Sequence, residues 1–524
     1  MAGASGVQGN VQGGPSRRGE ALFAAVVTLA FAVAVSLGAS WHEMWRDELR
    51  AWLIARDSIT PLALLENIEC EGHPALWYLL VWPITRFTHD PEAMKLLNLP
   101  LMAAAVFLIA RFAPGPKIVR ALIAFGYFPV YEYGVLARNY AIGILGLVAF
   151  CIAFPHRRRH PLVLGAVLLL TAHTSLVACV LSVAATLALG VEAFVSSRGR
   201  SGASATGETV RELPHSSMAG WYGWAGIGLA FVGVATSALQ MRPSARCAYD
   251  FNIHHQWSAW GGAFGTIPVA FVPILRSGSR YWGPPIMKAG GVALLVIPWC
   301  SLALCRRSVA WLYHLAATMG LLVFFFVAYN GELRHHGFLF VGFATAGWMA
   351  YYLPARTLPR RLDVLARGAE RSLWRITPII LLLHVVAAAV ALAGERKYVF
   401  SGSRGAAEII RAHGLEARPI VGDQDEAASS VLAWLDRERA FYPAGARWAS
   451  YPVYDQARLR PYDLWREVGI LADRMQSPVT VVLNHAPGTL APGPDRLIPI
   501  GCQEAPIRWD ESLCVYEYRP GGSR

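Results

Sequence analysis

Charged side chains are scarce in this sequence. Asp, Glu, Lys and Arg make up 16% of the 524 residues, whereas hydrophobic residues make up 55%. A soluble protein of this length would carry charge on roughly a quarter of its residues, so the composition excludes a wholly soluble fold. The charges are few because apolar runs long enough to cross a bilayer recur along most of the chain.

These apolar runs predict a mainly α-helical, polytopic membrane protein. The clear runs cover residues 21–40, 141–154, 163–194, 221–241, 290–305, 309–329, 338–353 and 376–393. Shorter or more polar runs cover residues 75–87, 96–112 and 121–133. The run 163–194 is long enough for a helical hairpin. Together the runs predict roughly eleven to thirteen membrane spans.

Cysteine is also rare, with 8 residues, and no cysteine–histidine spacing is that of a zinc site. Four cysteines fall in apolar runs, where we expect inert packing residues: Cys151, Cys179, Cys300 and Cys305. Cys70 and Cys247 fall in loops that we place outside the membrane. Cys502 and Cys514 flank an expected hairpin, and the sequence leaves open whether they form a disulfide or stay unpaired.

Positive charge is in excess, with 47 Lys and Arg against 35 Asp and Glu and a formal net charge of +12. This excess would suit a nucleic-acid partner, but the arginines cluster between the apolar runs, as is typical of cytoplasmic loops. The clusters are Arg17-Arg18, Arg157–Arg159, Arg306-Arg307 and the arginines between Arg356 and Arg375. We therefore expect no nucleic-acid partner. Residues 1–20, rich in Gly, Ser and Gln, are predicted to form a disordered cytoplasmic tail.

The chain then divides into a transmembrane module of residues 21–394, with a first outer loop at 41–74, and a soluble domain of residues 395–524. If 75–87 and 96–112 were both full spans, Arg157–Arg159 would lie on the wrong side, so one of the two is predicted to be a half-span or an interfacial helix. Alternating helix and strand patterns predict that the last domain is an extracytoplasmic α/β domain. It has no GxGxxG motif and no phosphate loop, so we expect a structural or acceptor-docking role.

The first outer loop carries the most informative charges. Asp47 and Glu48 follow the first span by a few residues, and charge so close to lipid is costly and usually functional. Residues 47–57 and a segment beginning at Thr60-Pro61 are predicted to be short helices on the membrane surface, with tryptophans at headgroup depth. Such helices would hold Asp47 where a hydrophilic acceptor meets a lipid-borne donor, as a general base requires. The alternative is that both carboxylates only solvate the helix.

Three motifs in about the first 160 residues carry a family resemblance. They are Asp47-Glu48, His73-Pro74 and Ala137-Arg138-Asn139-Tyr140. In this order they resemble the motifs of the GT-C glycosyltransferases, and in particular the protein O-mannosyltransferase and aminoarabinose-transferase branch. Ala75 stands where relatives carry a second proline, and Tyr140 stands where they often carry an acidic residue. The role of that acidic residue is therefore not carried over.

The resemblance implies transfer of a sugar from a polyprenyl-phosphate donor, usually with inversion, with Asp47 as the base and Glu48 as its support. Negative charge grows on the departing lipid phosphate, and arginine suits it because the planar guanidinium can bind two oxygens. Arg138 is the first candidate for this role and Arg334, with His335 and His336, is the second. Lys288 is a weaker third.

The remaining candidates have simpler alternatives beside them. His73 and Tyr140 are expected to bind substrate, although His73 could instead cap a span and Arg138 could snorkel at a span end. Glu132 is expected to be the charge partner of Arg138. His254 and His255, without clustered carboxylates, are poor evidence for a metal, and we expect no metal and no cofactor.

We therefore predict a bacterial inner-membrane (plasma-membrane) glycosyltransferase with an extracytoplasmic active site. Its partners would be the polyprenyl-phosphate sugar, membrane lipids and an acceptor that is a lipid, a glycan or a protein. The alternative is a polytopic transporter or lipid flippase without transferase chemistry. The sequence shows neither the internal repeats nor the mid-membrane charges that transporters tend to have.

Overall fold

The computed structural model describes residues 17–205, 218, 220–248, 257–273, 278, 282, 290–484 and 495–521. Most of the predicted tail, together with His254, His255 and Lys288, lies outside the described residues. The first helix, α1, covers Arg17–Trp41. The last four residues of the predicted tail are therefore helical, and Glu20 among them lies 2.9 Å from Arg120.

Six described helices are long and apolar enough to cross a membrane: Arg17–Trp41 (α1), Ala93–Phe112 (α5), Leu176–Arg198 within α9, Trp221–Met241 (α10), Ser308–Val327 (α13) and Arg360–Lys397 (α15). Shorter apolar helical segments accompany them at Tyr140–His156, Pro161–Ala172, Gly262–Phe271 and Leu294–Leu304. This composition makes the protein an integral membrane protein, as predicted. The number of spans stays a prediction.

The other helices of the membrane module are α2 (Arg46–Asp57), α3 (Pro61–Asn67), α4 (Leu76–Ile84), α6 (Lys117–Ala124), α7 (Tyr140–Ala153), α8 (Pro161–Ala172), α9 (Leu176–Ala205), α11 (Trp257–Phe271), α12 (Gly290–Leu304) and α14 (Leu333–Tyr351). A π-helix covers Phe128–Val135. The predicted hairpin is confirmed as α8 and α9. The helices α8 and α10 approach closely because glycines face each other: a Cβ on Gly165 would lie 2.2 Å from the Gly226 carbonyl oxygen.

The conflict over the short runs is settled by helix length. Run 75–87 forms α4, which has 9 residues and is about 14 Å long at 1.5 Å per residue, too short to cross a bilayer. Run 96–112 belongs to α5, which has 20 residues. The half-length element is therefore α4.

The first outer loop forms the two short helices that were predicted, and Thr60 caps α3 by accepting a hydrogen bond from the Ala63 N–H at 3.1 Å. Their environment differs from the prediction. Trp45 and Trp52 are 1% and 0% exposed, so they pack against protein and do not contact lipid headgroups. The cause is that α2 is enclosed between α4 and a helix of the C-terminal domain.

The C-terminal domain is an α/β domain, as predicted, and begins after α15 ends at Lys397, three residues beyond the expected start at residue 395. Its helices are α16 (Ser403–Ala412), α17 (Asp425–Leu435) and α18 (Leu464–Met475). Its strands are β1 (Ile420–Gly422), β2 (Ala440–Tyr442), β3 (Arg447–Ala449), β4 (Val479–Leu483), β5 (Leu497–Gln503) and β6 (Leu513–Tyr518). The sheet has the order β3-β2-β1-β4-β6-β5, with β1 parallel to β2 and β4 and the other pairs antiparallel.

The cysteines divide by location. Cys502 and Cys514 form a disulfide between β5 and β6, which settles the alternative that the sequence left open. Cys70 and Cys247 form a second disulfide that joins the first outer loop to the segment after α10. The four cysteines in apolar runs are buried and unpaired.

Candidate active site

One carboxylate oxygen is shared by two arginines. It lies at the end of the helices that carries the C-terminal domain, which is named the outer end. The Oδ2 atom of Asp47, in the first turn of α2, lies 2.7 Å from a terminal nitrogen of Arg138 and 3.0 Å from one of Arg334. Arg138 follows the π-helix, and Arg334 is in the first turn of α14. Three distant segments thus meet at one atom.

Asp47 remains accessible despite these partners. Its side chain is 30% exposed, and among the described residues hydrogen bonds and ion pairs reach Oδ2 only. Burial alone would raise the pKa of Asp47, but the charges of Arg138 and Arg334 outweigh it and hold that pKa well below its usual value. Asp47 is therefore ionised, with Oδ1 open to a ligand.

Glu48 faces away from this cluster, because neighbouring residues on a helix diverge by about 100°. Its side chain is 0% exposed. Oε1 accepts the Ala137 N–H at 2.6 Å, and Oε2 accepts the Trp45 N–H at 3.3 Å and lies 2.8 Å from His42 Nε2. Glu48, expected to support Asp47, thus has both oxygens engaged by backbone N–H groups and His42 and does not face the two arginines.

The backbone before Arg138 is held from two sides. The π-helix Phe128–Val135 ends just before it, and such helices are rare and frequent at functional sites. The side-chain amide nitrogen of Asn98, with two protons to donate, lies 2.9 to 3.2 Å from three carbonyl oxygens there. They belong to Tyr133, Gly134 and Leu136. With Glu48 holding the Ala137 N–H from the other side, the position of Arg138 is determined by its backbone as well as by its ion pair.

Arg334 belongs to a small network at the start of α14. It pairs with Glu332 as well as Asp47. The Glu332 N–H donates to His335 Nδ1 at 2.9 Å, so Nδ1 carries no proton. The proton of neutral His335 must then be on Nε2, which lies 2.9 Å from the Tyr140 hydroxyl oxygen and donates to it. That leaves the Tyr140 hydroxyl proton available for another acceptor.

His73 completes the set from the loop before α4. Its Nδ1 is buried and has no hydrogen-bond partner among the described residues. Burial lowers the pKa of His73, and the nearby charge of Arg138 lowers it further, to about 3. His73 is therefore a neutral side chain beside the cluster. Of the predicted site residues, the structure brings together Asp47, His73, Arg138, Tyr140, Arg334 and His335.

Two other predicted residues have different surroundings. His336 Nε2 lies 3.0 Å from the Asn330 carbonyl, and its ring contacts Phe325, so it supports the turn before α14 and does not face Asp47. Glu132 accepts a hydrogen bond from the Tyr127 hydroxyl at 2.6 Å. The expectation that Glu132 pairs with Arg138 was wrong, because the π-helix turns the two side chains apart.

The C-terminal domain contributes residues that the sequence reasoning missed. The guanidinium carbon of Arg508 lies 5.0 Å from the ring centres of both Trp45 and Trp282. The guanidinium of Arg334 contacts the same two rings, at 5.1 and 5.8 Å. Arg508 thereby adds positive charge near Asp47. No local motif marks this residue, because its importance comes from domain docking.

Further contacts hold the domain against the first outer loop. Arg46 pairs with Asp510 at 2.8 Å, and the Arg50 guanidinium stacks 3.6 Å from the Tyr454 ring centre. Helix α17 packs on α2 through Ala433 and Trp434. The soluble domain therefore packs over the Asp47 cluster.

A large apolar cavity lies within the helices below the cluster. Its volume is about 1060 Å³, and side chains from α5, α7, α11, α12, α14 and α15 line it. Tyr133 lines the end of the cavity nearest the cluster, and its hydroxyl donates a hydrogen bond to the Arg334 carbonyl at 2.9 Å. The cavity and the charged cluster are thus separated by about one layer of side chains.

The described residues contain no group of three His, Cys, Asp or Glu side chains arranged around a common point. Asp47, the accessible carboxylate, is surrounded by arginines whose charges would repel a cation.

The fold is similar to two solved structures. ArnT from Cupriavidus metallidurans bound to undecaprenyl phosphate is 14% identical with a TM-score of 0.47, and its apo state is 13% identical with a TM-score of 0.48. Each comparison covers 95% of this chain and 97% of that chain. No protein-family model matches the sequence, and no curated protein matches it. At these values the likeness concerns the overall fold only. The chemistry of the candidate site is argued from the residues of this protein.

Proposed function

We propose that this protein is a membrane glycosyltransferase that transfers a sugar from a polyprenyl-phosphate donor to an extracytoplasmic acceptor. The observation that carries the proposal is the sharing of Asp47 Oδ2 by Arg138 and Arg334. An accessible carboxylate beside two guanidiniums supplies a base for an acceptor hydroxyl and cations for a phosphate leaving group.

The reaction is a single displacement. The acceptor hydroxyl oxygen forms a bond to the anomeric carbon as the bond from that carbon to the phosphate oxygen breaks, which inverts the configuration. Asp47 Oδ1 takes the hydroxyl proton, and the bonding electrons leave with the polyprenyl phosphate. Glu48 takes no proton in this scheme and only positions α2 and the Ala137 backbone.

Arg138 and Arg334 bind the donor phosphate. In the resting site their charges are neutralised by Asp47 and Glu332. An incoming phosphate competes for the same guanidiniums and draws them from Oδ2, which raises the basicity of Asp47 at the moment when the acceptor must be deprotonated. His73 and Tyr140 then have a hydrogen-bonding atom each for the sugar or the phosphate.

The apolar cavity fits the lipid part of such a donor. It is large, lined mainly by apolar side chains, and reaches Tyr133, whose hydroxyl donates to the Arg334 carbonyl. An isoprenoid chain lies in such a cavity without exposing apolar surface to water. The phosphate is then delivered at the membrane boundary.

The cysteine pattern supports an outer location for the site and the C-terminal domain, in the plasma membrane. Both disulfides are on the side of the molecule that holds Asp47. Disulfides persist in oxidising compartments and are rare in the cytosol. The unpaired cysteines are all buried among the helices.

The test uses the full chain in proteoliposomes with ³²P-labelled undecaprenyl-phosphate sugars as probes and an envelope extract as the acceptor source. Release of undecaprenyl phosphate is expected for at least one donor, and Asp47→Asn should reduce it by about 10²-fold or more. Glu20→Gln, which changes a buried ion-paired carboxylate at the other end of α1, is the matched control and should retain release.

Two results would overturn the proposal. One is full release by Asp47→Asn. The other is movement of the labelled donor between leaflets without release, which is the behaviour of a flippase.

A further inference from the structure

A continuous chain of buried hydrogen bonds runs from the last span to the site. The Tyr131 hydroxyl donates to Glu395 Oε1 at 2.5 Å, and the same oxygen lies 3.1 Å from His42 Nδ1. On the other side of the imidazole, Nε2 lies 2.8 Å from Glu48 Oε2. Glu48 Oε1 then accepts the Ala137 N–H. His42 and Glu48 have fully enclosed side chains, as does Glu395.

This geometry favours a charged imidazole. A neutral histidine donates from one ring nitrogen and presents a lone pair at the other, but both nitrogens of His42 face carboxylate oxygens. Glu48 is ionised, since its two oxygens already accept the Ala137 and Trp45 N–H groups. A lone pair pointing at an ionised carboxylate would be repelled, so the two carboxylates favour protons on both nitrogens.

The chain ends on the two segments that form the site. Glu48 holds the N-terminus of α2 with one oxygen and the residue before Arg138 with the other. Asp47 adjoins Glu48 in the chain, and Arg138 adjoins Ala137. The orientation of one buried carboxylate therefore sets the separation of Asp47 and Arg138.

We propose that His42 is a positioning residue: its imidazolium bridges Glu48 and Glu395 and so holds Asp47 and Arg138 at their working separation. The proposal rests on the proposed function for its consequence in catalysis. It adds a residue that touches no substrate and ties the site to the end of α15, at Glu395.

Other groups around His42 shape its titration. The Lys95 ammonium, from α5, donates to the His42 carbonyl at 2.8 Å, and the Phe400 ring packs edge-on at 4.7 Å. Glu43, next in the chain, has a pKa raised to about 7 by burial, against the charges of His42 and of Arg404 from α16. Ionised above that pH, Glu43 favours the imidazolium further.

The consequence is a loss of activity at alkaline pH. Burial alone would lower the pKa of His42, but the charges of Glu395 and Glu48 outweigh it and raise the pKa to about 9. Because this folded-state pKa lies above the ordinary histidine pKa of 6.5, the stabilising contribution is full below about 6.5 and is lost as the pH rises through about 9.

The experiment measures kcat/KM for undecaprenyl-phosphate sugar turnover, and thermal unfolding of the full chain in detergent, from pH 6 to 10. Wild type should lose both activity and stability with a midpoint near 9. Glu395→Gln removes one of the two carboxylates, so both midpoints should move down by roughly one pH unit or more. Glu20→Gln, another buried carboxylate paired to a cation, should leave both midpoints unchanged.

His42→Gln distinguishes positioning from simple packing. Its amide donates to Glu48 but presents its oxygen to Glu395, so activity should fall and the midpoint near 9 should disappear. Adding Glu395→Gln should restore part of the activity, because the second amide can donate to the first. An unchanged alkaline midpoint in Glu395→Gln would overturn the proposal, as would a midpoint near 9 that survives in His42→Gln. The unfolding arm reports on His42 even if no transfer is found, so failure of the proposed function remains distinguishable.

Discussion

The two ends of the helix bundle pair their charges differently. At the inner end, where α7 finishes, Arg157 binds both oxygens of Glu192, with Nε–Oε2 and Nη2–Oε1 distances of 2.8 Å each. Glu20 gives one oxygen to Arg120 and the other to Lys117, at 2.9 and 3.4 Å. At the outer end, two arginines meet on one oxygen of Asp47 and leave the other open.

The difference teaches how a structural ion pair can be told from a site. Inner pairs use every carboxylate oxygen, so they hold helices together and have no capacity left for a ligand. The outer cluster is incompletely satisfied: Asp47 Oδ1 has no hydrogen-bond or ion-pair partner among the described residues. A ligand hydroxyl can therefore donate to Oδ1 without displacing an existing contact.

The largest effect that tests this contrast is expected for Arg334→Lys. Lysine cannot contact both Asp47 and Glu332 in the planar arrangement of a guanidinium, so kcat/KM for donor turnover should fall by roughly 10²-fold with little change in unfolding temperature. Arg157→Lys is the matched inner-end control and should lower the unfolding temperature while retaining turnover. Equal losses of turnover in both variants would remove the distinction between the two ends.

A smaller effect is expected for Arg508→Gln, which sharpens the comparison by asking whether the C-terminal domain belongs to the outer site. Its guanidinium contacts Trp45 and Trp282 and acts on Asp47 through space. Removing a partly exposed charge of this kind should cost about 1 kcal/mol, or about fivefold in kcat/KM, and less at high salt. Arg519→Gln, on an exposed ion pair of the same domain, should change nothing measurable. Identical turnover in both variants would mean that the domain covers the cluster without contributing to its electrostatics.

The smallest effect on activity is expected from opening the Cys70–Cys247 disulfide. Labelling this pair tests which side of the membrane the outer end of the molecule faces. In a variant that retains only these two cysteines, an impermeant maleimide should label intact cells only after an impermeant reductant is applied. Transfer should fall by less than about threefold, under about 0.7 kcal/mol, because the bond lies outside the Asp47 cluster. Labelling without reduction would mean that the pair is open, and labelling only after lysis would place this face inside.

Much of the fold could be predicted because its signals are local. Apolar runs marked the long helices, and Thr60-Pro61 marked the start of α3. The β-branched run Val479–Leu483 forms the strand β4. Strands β1, β2 and β3 have three residues each, too few for an alternating pattern to fix their bounds.

The site was predictable only in part. Asp47, Arg138 and Arg334 are polar residues beside membrane spans, which is a local and costly arrangement. Glu48 carries the same local signal as Asp47, yet it is turned towards His42. Arg508 carries no such signal, since a soluble domain has many arginines, and only docking brings this one to Trp45.

The sequence by itself determined that the protein is helical and embedded in a membrane, that a soluble α/β domain follows, and that charge is concentrated on one outer loop. These properties follow from composition and periodicity, which act over a few residues. Only the tertiary structure decided that Asp47 faces the two arginines while Glu48 holds the backbone, that His42 bridges two carboxylates, and that the soluble domain covers the site. The reason is that these contacts join segments far apart in the chain, and their geometry depends on how whole helices pack.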